Sequence, residues 1–228
     1  MGVRCFGPHI AVRCWPPTWA AVHAFARQCV CDNVRMNVAT VGPDVAPELG
    51  QIKQELLDAR ERARRLSEGL SDTLWGTAPA PGKWSIAECV THLNITSERY
   101  VPIIDDAIRE GREIGAKAAR PPRRDFMGWL LARMLEPPYR MRMKTTAPFV
   151  PARIEPMTDV LERFDYLQGE LLVRIDRAQG LPLERLHVVS PFNARVKYNL
   201  YSALKLIPVH QRRHLWQAEQ VRAALQNA

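Results

Sequence analysis

The sequence predicts an all-α protein, a four-helix bundle with one long crossover at about residues 113–155. Apolar residues recur at spacings of three or four along four segments, the pattern of amphipathic helices. A proline-rich, basic stretch separates the second segment from the third. We find no internal repeat and no low-complexity tract. Four helices joined with one long crossover are a known form of bundle, in which sites are built in the core from facing helices.

Composition and cysteine usage narrow the class of protein. The 228 residues are 46% hydrophobic and 25% charged, as in ordinary globular domains. No run of 18 or more apolar residues occurs, so we expect no transmembrane segment. The five cysteines are odd in number, four precede residue 36, and none forms a C-x-x-C pair. This pattern indicates neither a disulfide framework nor a cysteine zinc site, and favours a reducing, cytoplasmic location.

The positive charge is concentrated in the crossover. The chain carries a net charge of +8, and residues 109–153 hold eleven Lys/Arg against four Asp/Glu. A local excess favours a local anionic contact over a protein that coats nucleic acid. Few aromatic residues are interleaved with the charges, and no helix-turn-helix or RNA-binding signature accompanies them, so nucleic acid is a disfavoured partner.

Residues 1–35 differ in composition from the rest of the chain. They hold four cysteines, a Pro-Pro pair and almost no acid. The apolar piece Trp19 to Ala26 is too short for a signal peptide, and an Arg-rich transit peptide fits only weakly. We expect these residues to be an upstream extension without a fixed fold, with Met36 as the true start. The bundle domain is predicted over residues 45–226.

The first two helices follow from periodicity and capping. A helix of about 25 residues is predicted from Pro47, with its apolar stripe ending at Leu74, and residues 76–82 form a connector. The second helix is predicted to start at Ser85 and to run to about Gly111. Ser85 and Glu88 have the spacing of a capping box, in which each side chain bonds the other residue's amide.

The crossover contains one further predicted helix. The stretch Phe126 to Leu135 reads as a short amphipathic helix, and the Pro137-Pro138 pair ends it. Residues 139–156 are predicted to run extended over the surface.

The last two bundle helices lie beyond residue 156. The third is predicted with Thr158 as N-cap and Gly180 as the C′ residue, followed by a loop that includes residues 190–193. The fourth spans about Asn199 to Gln226. Pro208 lies inside it and removes a backbone donor, so we expect a kink just before His210.

Three histidines fall on the apolar stripes of two of these helices. His92 lies two turns into the second helix, and His210 and His214 are spaced i, i+4, which places both imidazoles on one face of the fourth. Three neutral imidazoles that meet at one point make an open metal site with a free position for water or substrate. The alternative is that each is a core histidine with its own hydrogen-bond partners, since unpartnered burial would cost several kcal/mol.

Residues beside the histidines allow two interpretations each. Glu88, one turn before His92, is either a fourth ligand or base or, as we favour, only the capping residue. Cys89 is either a soft ligand or buried filler, and filler is favoured. Arg213, between the two histidines of the pair, either guides an anionic substrate near the mouth of the site or lies on the adjacent wet face. Glu219 is expected to face elsewhere.

The segments W-S-I-A-E-C-V-T-H-L-N and V-H-Q-R-R-H-L-W-Q resemble the two signature segments of the DinB-like (DinB/YfiT-like) superfamily. The resemblance covers about residues 45–226. It implies a four-helix bundle of the DinB-like type that holds a divalent metal, often zinc or nickel, on His92, His210 and His214. Relatives include S-transferases and maleylpyruvate isomerases that use low-molecular-weight thiols such as bacillithiol or mycothiol, and many are dimers. The N-terminal 35 residues and Pro208 depart from the family pattern.

Two classes of function follow. The first is a metal-dependent enzyme, a thiol S-transferase or a hydrolase, that acts on a small molecule at the open position of the metal. For this enzyme the resemblance implies a homodimer. Basic residues of the crossover are candidates to hold the anionic parts of a thiol cofactor, unless they are simply a solvated face; they are Arg120, Arg123, Arg124, Arg140 and Lys144. The second is a non-catalytic metal-binding or interaction module of a stress-response type, in which the Trp129-containing segment docks a partner or a membrane surface.

Overall fold

The computed structural model describes residues 46–138 and 145–227. The extension predicted over residues 1–35 and the true start predicted at Met36 both lie outside the described residues. The elements, in chain order, are α1 (Pro47–Ser67), α2 (Asp72–Gly76), α3 (Ile86–Ile114), α4 (Phe126–Leu135), a 3₁₀ turn (Ala147–Phe149), α5 (Met157–Arg177), β1 (His187–Ser190), β2 (Asn193–Asn199) and α6 (Leu200–Gln226). The predicted all-α class and four-helix bundle are confirmed.

The order of the four long helices around the bundle differs from their order along the chain. Helix α3 packs against α5 and α6, and α1 packs against the same two helices. The order around the bundle is therefore α1–α5–α3–α6, with α1 diagonal to α3. This order makes α3 and α6, the two helices that carry the three histidines, direct neighbours.

The first predicted helix is in fact two. Helix α1 ends at Ser67, and Gly69 takes a left-handed φ of 71° that turns the chain away. Ser71 then starts α2, because its hydroxyl accepts a hydrogen bond from the amide of Leu74 at 3.2 Å. The prediction of one helix through Leu74 was wrong since this local cap outweighed the continuing apolar spacing.

Helix α3 begins as predicted. The amide of Ser85 donates to the Glu88 carboxylate at 2.8 Å, and the amide of Glu88 donates to the Ser85 hydroxyl at 3.2 Å. Both bonds of the capping box are thus present. The helix continues three residues past Gly111 and ends where Gly115 adopts a left-handed φ of 64°.

Helix α4 has the predicted bounds and lies against α6. Its N-cap is Asp125, whose carboxylate accepts from the amide of Gly128 at 2.8 Å and from the Ser202 hydroxyl of α6 at 3.0 Å. The two helices approach closely here. A Cβ atom on Gly128 would lie 2.1 Å from the Ser202 hydroxyl oxygen, so glycine is required at this contact.

Helix α5 differs from the prediction at both of its ends. It begins at Met157 after Pro156, with no side-chain cap, so Thr158 is not its N-cap. Gly180 has the expected left-handed φ of 73° but lies two residues beyond the C-cap Ala178 rather than at C′.

The region predicted as a loop after α5 contains an antiparallel hairpin of β1 and β2. Inward-facing Val188 pairs with buried Tyr198, whereas Val189 is exposed. The strands are short and their register shifts between Val189 and Ser190, so the period-two alternation is too brief to stand out in the sequence.

Helix α6 has nearly the predicted bounds, with the Asn199 side chain accepting from the amide of Ser202 at 2.8 Å as N-cap. The helix continues through Pro208; the kink before His210 stays a prediction. Among the described helices, none is both long and apolar enough to cross a bilayer.

The buried apolar side chains form two clusters at different heights of the bundle. One includes Ile104, Leu171 and Leu204, and the other includes Phe164 and Leu215. Between the clusters lies the buried apolar Leu167 of α5, together with buried polar side chains of α3, α5 and α6. We call these polar side chains the polar layer: Thr96, Ser97, Gln168, His210, Gln211 and His214.

We expect Gly128→Ala to destabilise the fold by about 1–3 kcal/mol, because the added methyl group would overlap Ser202 at the α4–α6 contact. The measurement is urea unfolding followed by circular dichroism. Gly169→Ala in α5 is the matched control, since nothing lies within 4 Å of a Cβ built there; it should be neutral or stabilising by up to about 1 kcal/mol. Equal free energies of unfolding for both variants would contradict the close packing.

Candidate metal centre

The structure brings the three predicted histidines together. His92 comes from α3, two turns after the capping box, and His210 and His214 come from successive turns of the adjacent α6. All three are buried, with 2%, 7% and 7% of their surface exposed. The bundle order supplies this convergence, because it places α3 beside α6.

The ring nitrogens of the three residues approach within metal-binding distance of one another. One ligand-type nitrogen from each lies within 4.8 Å of the others. The Nε2 atoms of His92 and His210 are 3.2 Å apart. Two nitrogens that each lie about 2.0–2.1 Å from a tetrahedral zinc ion are separated by roughly 3.3 Å. The observed separation therefore fits a shared divalent ion.

A hydrogen bond fixes the tautomer of His92. Its Nδ1 lies 2.7 Å from the backbone carbonyl oxygen of Phe149. A carbonyl can only accept, so Nδ1 carries the hydrogen, and the neutral ring then presents the Nε2 lone pair to the centre. This is the arrangement that metal-binding histidines use, in which an acceptor behind the ring orients it and raises its basicity.

The surroundings of His214 provide a second test of whether this site fits a metal ion. Its Nδ1 is buried and has no hydrogen-bond partner among the described residues. A buried polar nitrogen without a partner costs roughly 1–3 kcal/mol. The chemistry of the donor set, three imidazoles with no acid among them, suits zinc or a divalent transition metal rather than magnesium or calcium.

The electrostatics keep the three rings neutral. Burial lowers the pKa of His210 and of His214 well below the usual histidine value, and the neighbouring rings and Arg213 lower both further. Burial also lowers the pKa of His92, while its bond to the Phe149 carbonyl acts in the opposite direction. Neutral imidazole is the form that binds a metal, so the site is competent near neutral pH.

Aromatic side chains form a wall around the histidines. Trp84 stacks on His214 with 5.8 Å between ring centroids and lies 5.0 Å from His92. Phe192, at the tip of the hairpin, lies 5.5 Å from His210 and 4.3 Å from Phe149. The centre is thus surrounded by low-dielectric groups, which strengthen electrostatic interactions within it.

Sequence reasoning missed Phe149 and Phe192. Phe149 lies in the stretch predicted as extended surface chain, and Phe192 lies in the predicted loop. Their only signal was aromatic character within otherwise polar or proline-rich segments. Their roles depend on which distant helix they meet, and no local pattern contains that information.

The other residues considered as ligands or bases in the sequence analysis do not belong to the histidine cluster. Glu88 is held by the capping box, as favoured above. Cys89 is buried filler in the second apolar cluster, and burial raises the pKa of its thiol. Glu219 forms an ion pair with Arg62 and so faces elsewhere.

Arg213 is not on a wet face. It is only 6% exposed, and its guanidinium donates to the backbone carbonyl of Met134 at 3.3 Å. It nevertheless influences the pKa of both histidines of the pair. Its role in substrate binding stays a prediction.

The structure describes three of the five predicted basic residues of the crossover. Arg120 is paired with Glu184 at 2.8 Å, and Arg123 and Arg124 are exposed. Arg140 and Lys144 lie outside the described residues. A contact of these residues with a thiol cofactor stays a prediction.

Comparisons with known proteins agree with this picture. The family model of the DinB superfamily matches residues 55–218. The solved structure of YfiT from Bacillus subtilis superposes with a TM-score of 0.53 at 15% identity, covering 78% of this chain and 87% of that one. YfiT is described as "a probable metal-dependent hydrolase with an unusual four-helix bundle topology"; at this identity the likeness shows the fold alone. No curated protein matches the sequence.

The lowered histidine pKa values predict that the metal-free protein loses stability in acid. Below about pH 6.5 the unfolded chain binds protons on these histidines while the folded chain does not, so the free energy of unfolding falls as pH drops. Each ring that stays neutral contributes a loss of up to about 1.4 kcal/mol per pH unit. Urea unfolding of chelator-treated protein at about pH 7.5 and about pH 5.5 measures this.

The control for that experiment replaces His92, His210 and His214 together by Gln. The difference in unfolding free energy between the two pH values should shrink, because the titrating rings are gone. Wild-type stability that does not change between these pH values would contradict burial of the rings in their neutral form.

Proposed function

This chain belongs to the DinB superfamily, and from that premise we propose that it is a metal-dependent hydrolase whose divalent ion, zinc or nickel, is held by His92, His210 and His214. The observation that carries the proposal is the convergence of three buried, neutral imidazoles, one of which has its lone pair aimed at the centre by a backbone carbonyl. Three histidines leave at least one coordination position for a water or a substrate.

The chain's own residues would hold and isolate the reacting groups. The Phe149 carbonyl orients His92, and His210 and His214 are fixed by the helical spacing of α6. Bound there, a divalent ion supplies Lewis acidity, which lowers the pKa of a water or thiol in its open position. The aromatic wall limits the access of bulk water and presents an apolar surface to a small-molecule substrate; it consists of Trp84, Phe149 and Phe192.

Hydrolysis is proposed ahead of thiol transfer. The structural neighbour YfiT is described as a probable metal-dependent hydrolase. Thiol transfer would need a site for a charged cofactor, and of the basic residues predicted for it Arg120 is already paired with Glu184. The alternative is a protein that binds a metal without any turnover. Measurements of metal content and of activity distinguish it from both reactions.

We predict about one divalent ion per chain in protein purified without chelators, measured by elemental analysis. His210→Ala should lower the metal affinity by a factor of about ten or more, because it removes one of three ligands. The matched control is His187→Ala, since His187 is an exposed histidine on β1 outside the site. Wild-type protein that binds no divalent ion even when supplied with zinc or nickel would contradict the proposal.

We predict that the metal-loaded protein hydrolyses an activated aryl ester and that chelation abolishes this activity. Phe192→Ala should retain the metal but change KM for aryl substrates severalfold, because Phe192 contacts His210 without offering a ligand atom. Steady-state kinetics and elemental analysis on the same preparation measure the two effects.

Two results would redirect the assignment. Conjugation of a low-molecular-weight thiol to an electrophile, without ester hydrolysis, would replace the hydrolase by a transferase. A fully loaded protein without activity towards either class of substrate would support a non-catalytic metal-binding module.

A further inference from the structure

Helix α4 exposes two large aromatic side chains on the face opposite to its contact with the bundle. Gly128 and Ala132 are buried against α6, whereas Phe126 is 71% exposed and Trp129 is 49% exposed. The two exposed rings stack on each other with centroids 6.1 Å apart. Contiguous exposed apolar side chains are a feature of interaction sites, whereas apolar side chains exposed singly are normal on a protein surface.

The charge around this aromatic pair is positive. Arg124 precedes the helix by two residues, and Arg133 lies one turn beyond Trp129 on the same stripe, at spacing i, i+7 from Phe126. Both arginines are exposed, and neither has an ion pair within the described part of the chain. We call Arg124, Phe126, Trp129 and Arg133 the α4 patch.

The acidic residues of the same segment do not neutralise the patch. Asp125 is used as the N-cap of α4 and bonds Ser202 of α6. Glu136 accepts from the guanidinium of Arg212 at 2.9 Å. The cations therefore stay available to an anionic partner, in keeping with the excess of eleven basic over four acidic residues in positions 109–153.

We propose that the α4 patch docks on the surface of an anionic lipid membrane. Aromatic rings partition into the headgroup region of a bilayer, and arginine side chains extend to lipid phosphates while their stems cover apolar surface. The α4 patch, with two aromatic rings and one cation on the helix and a second cation just before it, combines both contributions. It predicts reversible, salt-sensitive peripheral binding.

The charge of the patch disfavours the other occupants. A symmetric dimer through this face would bring four arginines into one interface, with no acid of the patch to pair them. Residues 1–45 are also net basic by sequence, with four Arg against two Asp, so they do not complement the patch. An acidic protein partner would need a preformed apolar pocket for the stacked rings, whereas a bilayer accommodates the rings without a preformed pocket.

The proposal is tested by sedimentation of the full chain with vesicles of phosphatidylcholine alone and of phosphatidylcholine with about 30% phosphatidylglycerol at low ionic strength. Binding is expected only to the anionic vesicles and should fall steeply as salt is raised to about 0.5 M. Phe126→Ser with Trp129→Ser, and separately Arg124→Glu with Arg133→Glu, should each weaken binding at least about tenfold.

The matched control is Tyr166→Ser with Val173→Ser, which removes two exposed apolar side chains from α5 and should leave binding unchanged. Circular dichroism shows that each variant is folded. Four outcomes would overturn the proposal: no binding to anionic vesicles, equal binding to neutral vesicles, full retention of binding in the patch variants, or a dimer in light scattering that the aromatic variant abolishes. None of these measurements depends on the metal.

Discussion

The hydrogen bond from His92 to the carbonyl of Phe149 joins the bundle to its crossover. It spans 57 positions of sequence and connects the N-terminal part of α3 to the 3₁₀ turn. Because the carbonyl fixes which nitrogen of His92 carries the hydrogen, the crossover contributes to the chemistry of the site as well as to the chain path. The same turn brings the ring of Phe149 against Phe192, so the hairpin tip is positioned through this contact too.

The parallel direction of α3 and α5 explains why a long crossover is present at all. These two helices are neighbours, and they run the same way because Asn94 bonds Val160 near their starts and Asp105 bonds Arg174 near their ends. The chain that leaves α3 must therefore return along the bundle before α5 can begin, and on this path it packs α4 against α6 and places Phe149 behind His92. The connection that the topology requires thus also builds the back of the site.

Local signals in the sequence predicted the parts of the fold that are determined locally. The capping box at Ser85 and Glu88 depends only on residues three apart, and the pair His210 and His214 depends only on helical spacing. The break of α1 at Gly69 and the short hairpin around Phe192 were missed. At the break, a local cap at Ser71 outweighs the continuing apolar spacing, and in the hairpin the strands are too short for their alternation to stand out. The Phe149 carbonyl was unpredictable for a further reason, since any residue has one.

The polar layer has a consequence for the cooperativity of unfolding. The buried apolar side chains on either side of it form two separate clusters, and α3, α5 and α6 each contribute to both. Each cluster is then a unit that can open on its own, as contiguous regions do in hydrogen exchange of native proteins. Effects of core substitutions in different clusters would add, whereas those within one cluster would couple. An ion bound by the histidines would bridge the two units and make the molecule unfold as one.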